Sequence, residues 1–131
     1  MKNHVKTTGL IATFIALIFL GVGSAAAATI QGSVQGLNCV TDGTICPLDK
    51  ADPHIAGENV FVILGKDKSY HFVPNLDRAI LARYLGKEVR VTGKVNSKYN
   101  SVAAEKFDVN FKGGWKTVWT LEAERAEQAH R

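Results

Sequence analysis

The residues best able to do chemistry in this chain crowd into one short stretch. Cys39 and Cys46, the two cysteines of the 131 residues, flank Asp42, and Asp49, Asp52 and His54 follow closely. Three chemistries compete there. A zinc site needs correctly spaced sulfur and nitrogen ligands, and two cysteines with six residues between them and a single histidine match no common pattern. An oxygen-ligand calcium site from Asp42, Asp49 and Asp52 lacks the spacing of an EF-hand loop, so Asp49, Asp52 and His54 form only a weak metal alternative. A thiol-redox pair would show C-x-x-C or a cysteine at a helix start, where the thiol pKa falls, and neither is present. A disulfide is the expected outcome in an exported chain. By loop-closure entropy it would contribute roughly 2–3 kcal/mol.

A second group could bind rather than react. Tyr70 and Phe72 alternate with His71, and Lys98-Tyr99 lies in a polar loop further on. Aromatics beside lysines can stack bases of single-stranded nucleic acid or receive a peptide or glycan, and His71 is of the type that titrates near neutral pH. No Ser or Cys nucleophile with a recognisable flanking motif, no C-x-x-C-H haem attachment and no glycine-rich phosphate loop occurs. The expectation is therefore a protein that is not an enzyme and needs no cofactor.

The chain opens as an export signal. Lys2 and Lys6 precede an apolar run from Leu10 to Val22, and Ser24 to Ala28 supplies small residues for cleavage after Ala28. The apolar core is short for a membrane span, which needs about 20 residues. Residues 1–28 are read as a cleaved signal peptide and the protein as periplasmic or secreted, with no membrane span after cleavage. The formal charge of +4, from 16 bases and 12 acids, falls to +2 once Lys2 and Lys6 are removed (14 against 12). That weak excess is not the basic stripe of a duplex-binding protein, so nucleic acid is not the expected partner.

These candidate residues must be positioned by short β elements. Thr29 to Leu37 alternates as a half-buried strand, with Ile30, Gly32, Val34 and Gly36 on one face. Asn38 to Asn59 has turn signals and no sustained period. Val60 to Leu64 is a continuous apolar, β-branched run, expected as a buried strand hairpinned through Gly65–Lys68 to Tyr70–Val73. Asn75 is the expected N-cap of a helix of about three turns, with Leu76, Ile80 and Tyr84 on its apolar side and Gly86 ending it. Glu88 to Val95 alternates, with Val89, Val91, Gly93 and Val95 inward. Val102 to Phe111 returns, with an irregularity expected near Ala103-Ala104. Trp115 to Thr120 reads as a further short strand whose two tryptophans cover the end of the barrel. Leu121 to Arg131 is helix-prone, with its acids early and its bases late.

A helix between the third and fourth of five strands is the order of an oligonucleotide/oligosaccharide-binding (OB) fold. Through YHFVPNLDRAILARYLGKEV, RVTGKV and YNSVAAEKFDV the chain resembles small exported bacterial OB-fold-like proteins of the anticodon-binding-like group. The resemblance implies a mainly β, five-stranded Greek-key barrel over residues 29–120, with a helical tail at 121–131 and no catalytic residues. It also implies a ligand surface on strands two and three with the first and last hairpin loops: Tyr70, His71 and Phe72, the Cys39–Cys46 loop, Lys98 and Tyr99. The expected partner is an unknown peptide, protein or envelope glycan. A metal- or redox-linked accessory protein using the cysteine loop, and single-strand nucleic-acid binding, are the competing readings.

Overall fold

The computed structural model describes residues 27–47 and 53–131. The expected signal peptide therefore lies outside the described residues except for its last two alanines. β1 (Ala28–Gly36) is followed by two short helices, α1 (Leu37–Thr41) and α2 (Pro53–Ala56). Then come β2 (Phe61–Leu64), β3 (Tyr70–Phe72), helix α3 (Arg78–Arg83), β4 (Glu88–Asn96), β5 (Ser101–Phe111), β6 (Gly114–Thr120) and helix α4 (Leu121–Ala129).

The sheet closes on itself. β1 pairs antiparallel with β2 through Ser33–Gly36 and with β4 through Ala28–Ser33, so one curved strand serves both halves. β2 pairs with β3, and β4 with β5. A single parallel pairing of Phe72 with Ser101 then joins β3 to β5 and completes the ring. β6 adds to the outer edge of β5, giving six strands where five were expected for the barrel itself. Gly32 sits where β1 bends between its two partners. A Cβ there would lie 2.3 Å from the Leu64 carbonyl oxygen, which only glycine avoids.

The inward positions of the alternating strands make the core: Val34, Ile63, Val89, Val91, Val102 and Phe107 are fully enclosed. Leu76 and Leu81 cap it from the connection between β3 and β4, with Ile80, Tyr84 and Leu85 partly buried against it. This helix is shorter than its sequence period suggests. Asp77, not Asn75, is the N-cap, its carboxylate accepting from the Ala79 amide at 2.6 Å. Asn75 has a different task. Its side-chain amide donates to the Ala104 carbonyl and its oxygen accepts from the Ala104 amide, at 2.8 and 2.7 Å, tying the helix entry to β5. A local rule for caps cannot see a partner 29 residues away.

Further details differ from expectation. β1 gives way to helix at Leu37, so the segment read as wholly irregular contains α1 and α2, and Cys39, expected away from any helix start, lies in the first turn of α1 with its sulfur held in the disulfide to Cys46. Val95 is 40% exposed because β4 has by then run past the core. The irregularity of β5 is where it was expected, at Glu105 beside Ala104, since Thr92 pairs with Lys106 while Gly93 pairs with Ala104. Neither tryptophan is fully enclosed. Trp119 packs against the core and donates its indole N–H to Glu124 at 2.8 Å. Trp115 lies on the outer face, with the Arg90 guanidinium 3.7 Å from its ring centre. The helical tail is formed, with the Thr120 hydroxyl accepting from the Ala123 amide and Glu122 and Glu124 in the first turn.

Asp108, buried on β5, gives a pH-dependent contribution to this half of the sheet. Burial opposes its ionisation, but the Thr117 hydroxyl at 2.6 Å and the Lys106 ammonium at 2.9 Å outweigh it, and its pKa is lowered. A carboxyl that is more acidic folded than unfolded adds stability above its unfolded pKa and loses it as pH falls through the folded one. Acid titration of unfolding is therefore expected to show a loss of stability below about pH 4 that is smaller in Asp108→Asn than in the parent chain.

Candidate functional site

One open cleft of about 1000 Å³ crosses the outside of β1. Its floor is the backbone and outward side chains of Thr29, Gln31 and Ser33. One wall is the loop after α1, presenting Thr44 and Ile45, and the other is the turn between β2 and β3, carrying Lys66 and Lys68. Both walls are braced.

The first wall is braced covalently and from below. Cys39 and Cys46 form a disulfide with Cα atoms 5.5 Å apart. The Cys46 amide donates to the Gln35 side-chain oxygen at 2.9 Å, and the Gly36 amide donates to Cys46 Sγ at 3.2 Å. Gln35, read as an outward strand residue, is only 2% exposed because the loop folds down over it. Glu58 anchors the far end of the same region, accepting from the amides of Asn38 and Val60 at 2.8 and 3.1 Å. Ile45 is left 71% exposed at the lip of the cleft, although its neighbour Cys46 is buried. The stapled loop thus holds Ile45 at the lip as an apolar side chain open to contact. Replacing both cysteines by alanine is expected to cost about 2–3 kcal/mol in urea unfolding, with amide shifts confined to the cleft wall around Thr44 and Ile45.

The second wall is a tight turn. Gly65 and Ser69 bond through their backbones at 2.8 Å, and the Asp67 carboxylate accepts from the Ser69 hydroxyl and amide at 2.6 and 3.1 Å. Those bonds hold the Asp67 pKa below its ordinary value, the Ser69 hydroxyl first. Glu88, at the floor, is likewise lowered, by the Asn110 side-chain amide at 2.9 Å and then that of Gln31 at 2.7 Å. Both carboxylates are thus engaged within the protein. Lys66 and Lys68 form no ion pair with any described residue, so their ammonium donors stay free among those residues, while Asp67 and Glu88 balance their formal charge.

The structure divides the residues singled out from sequence. His71 pairs with Ile63 on β2, so it shares the inward-facing side, and it also lines the cleft. Its Nδ1 is enclosed without a hydrogen-bond partner among the described residues. Tyr70 and Phe72 take the opposite face of β3 and pack edge-on, their ring centres 5.7 Å apart. The Phe72 amide donates to the Asn100 carbonyl at 2.7 Å, which brings the Lys98–Tyr99 turn beside β3. None of these four lines the cleft. Lys98 lies over the ring of its own neighbour Tyr99, with its ammonium 5.2 Å from the ring centre. Tyr99 is 62% exposed. Of the residues singled out from sequence, His71, the Cys39–Cys46 loop and the lysines Lys66 and Lys68 near Tyr70 line the cleft, whereas Thr29 and Gln31 were not singled out. Alternation had marked Gln31 and Ser33 as outward; what it lacked was the loop folded above them.

Comparison with known proteins finds no matching family model, curated protein or solved structure. The site must therefore be read from its own chemistry. Asp49 and Asp52 lie outside the described residues, and His54 falls in α2. Among the described residues there is no group of three or more His, Cys, Asp or Glu placed to hold a metal ion, and no helix long and apolar enough to cross a membrane.

Proposed function

We propose that this chain is an exported, non-enzymatic binding domain on an OB-like Greek-key barrel, which holds a peptide, protein segment or envelope glycan in the cleft over β1. One observation carries the reading: the cleft wall bearing Ile45 is fixed by a disulfide and by the buried Gln35, so the surface exists before any ligand arrives. A preformed surface avoids the entropy of ordering a loop on binding. The barrel part rests on the ring of five strands with a helix between the third and fourth, together with the resemblance of the chain to exported OB-like proteins. The disulfide suits an oxidising compartment. With export, cleavage after Ala28 would make Thr29, already paired with Thr92, the first residue of the strand.

The cysteine pair supports a staple more than a redox or metal role, because both sulfurs are bonded to one another and buried. A photo-crosslinking side chain placed at Ile45, in protein expressed with its leader, tests the cleft. Adducts of discrete mass from position 45, with none from Lys112 on the β5–β6 turn, are expected. Equal labelling at the two positions would remove the support for a defined site.

A further inference from the structure

Among the described residues, the backbone of β1 is hydrogen-bonded on one side only over its first half. The Val34 amide donates to the Lys87 carbonyl, and the Gly86 amide to the Val34 carbonyl, while the Leu37 amide turns the other way to the Val60 carbonyl. Peptide groups alternate direction along a strand. The even-numbered residues Ile30 and Gly32 therefore face β4, and Thr29 and Gln31 face the side of β2. β2 has ended by then, since its last pairing with β1 is Ser33 with Leu64, and the chain leaves through Gly65. No described strand covers the N–H and C=O groups of Thr29 and Gln31, and this edge runs along the floor of the cleft.

An uncovered strand edge is a template for another strand. Natural edges are blunted by proline, by charge or by a covering loop, and here the described part of the loop, up to residue 47, forms a wall of the cleft and pairs with no strand edge. The edge is flanked by two lysines free of ion pairs with described residues, while its two carboxylates are already bonded to Ser69, Asn110 and Gln31. Ile45 and Leu64 add apolar surface. A glycan would use the hydroxyls and amides of the floor but not the unpaired peptide groups or the lysine ammonium donors.

We infer that the free edge of β1 at Thr29 and Gln31 captures an extended acidic peptide by strand addition, prolonging the line of β2, with carboxylates against Lys66 and Lys68 and an apolar side chain over Ile45. This rests on the cleft being the binding site and names what it binds.

The probe is a labelled, acetylated seven-residue peptide alternating valine and glutamate, titrated into the purified protein. Binding is expected, with at least ten-fold slower hydrogen exchange at the Gln31 amide on saturation. Methylating alternate backbone nitrogens of the peptide in the pairing register should weaken it ten-fold or more. Lys66→Ala with Lys68→Ala should weaken it and flatten its salt dependence, with the melting temperature reported alongside to show a folded protein. Unchanged exchange at Gln31, equal binding of the methylated peptide, or equal binding of a valine–lysine peptide would each overturn the inference. An N-acetylglucosamine tetrasaccharide shifting the cleft amides while no peptide binds would overturn strand addition and leave the cleft reading standing. Failure of both probes to bind would also overturn strand addition, and crosslinking from position 45 would then decide the cleft separately.

Discussion

Phe107→Ala is expected to remove about 4 kcal/mol of folding stability, within the range for deleting a buried aromatic ring. Phe107 is the largest of the fully enclosed side chains. It pairs with Val91 on β4 and with Trp119 on β6, and its ring lies 5.9 Å from that of Tyr84 after α3. One side chain therefore touches the ring, the outer strand and the connection that caps the barrel. The surroundings are β-strand backbone closed in a ring, which cannot collapse easily into the vacated space, so the cavity term adds to the lost transfer energy. At about 4–8 °C per kcal/mol for a domain of this size, the melting temperature should fall by some tens of degrees. A loss below about 1 kcal/mol in urea unfolding would show that the barrel interior is looser than described.

Gly93→Ala should cost about 3 kcal/mol, the upper part of the usual range for overpacking. The added Cβ would lie 2.0 Å from the Ala103 carbonyl oxygen and 2.8 Å from its carbon, and both are backbone atoms that no rotamer change can move. β4 and β5 approach closely here because the extra residue Glu105 shifts their register beside Gly93. Relief requires the strands to part at the irregularity that lets the sheet curl. Gly114→Ala is the control, since its nearest atom, the Phe111 carbonyl oxygen, is at an ordinary 3.5 Å. Comparable losses in the two variants would remove the steric explanation.

The sequence made the repeating elements legible and hid the tertiary ties. Period-two alternation marked β1 and β4, and the apolar run marked β2, because a strand with one buried face must carry that pattern. The α3 helix was placed but overlong: Leu76 shares the apolar stripe yet precedes the Asp77 cap, and periodicity cannot distinguish a capping loop from a first turn. Tyr70 and Phe72 were correctly set opposite His71, but which side faces a cleft depends on where the Cys39–Cys46 loop folds. Gln35 shows the same limit. Only the loop above it turns an outward glutamine into a buried anchor. The edge of β1 was invisible for a related reason, since a strand's sequence does not say where its neighbour ends. The β1–β2 register does, stopping at Ser33 and Leu64.

The cleft is the central claim, and an amide-shift map addresses it most directly. Isotopically labelled protein would be titrated with fractions of an envelope extract containing peptides and glycan fragments. The account predicts shifts gathered on Thr29, Gln31, Ser33, Thr44, Ile45 and Lys66, along the floor and both walls. Shifts confined to Tyr70, Phe72, Lys98 and Tyr99, with the cleft silent, would contradict it and return the binding surface to the opposite face of β3.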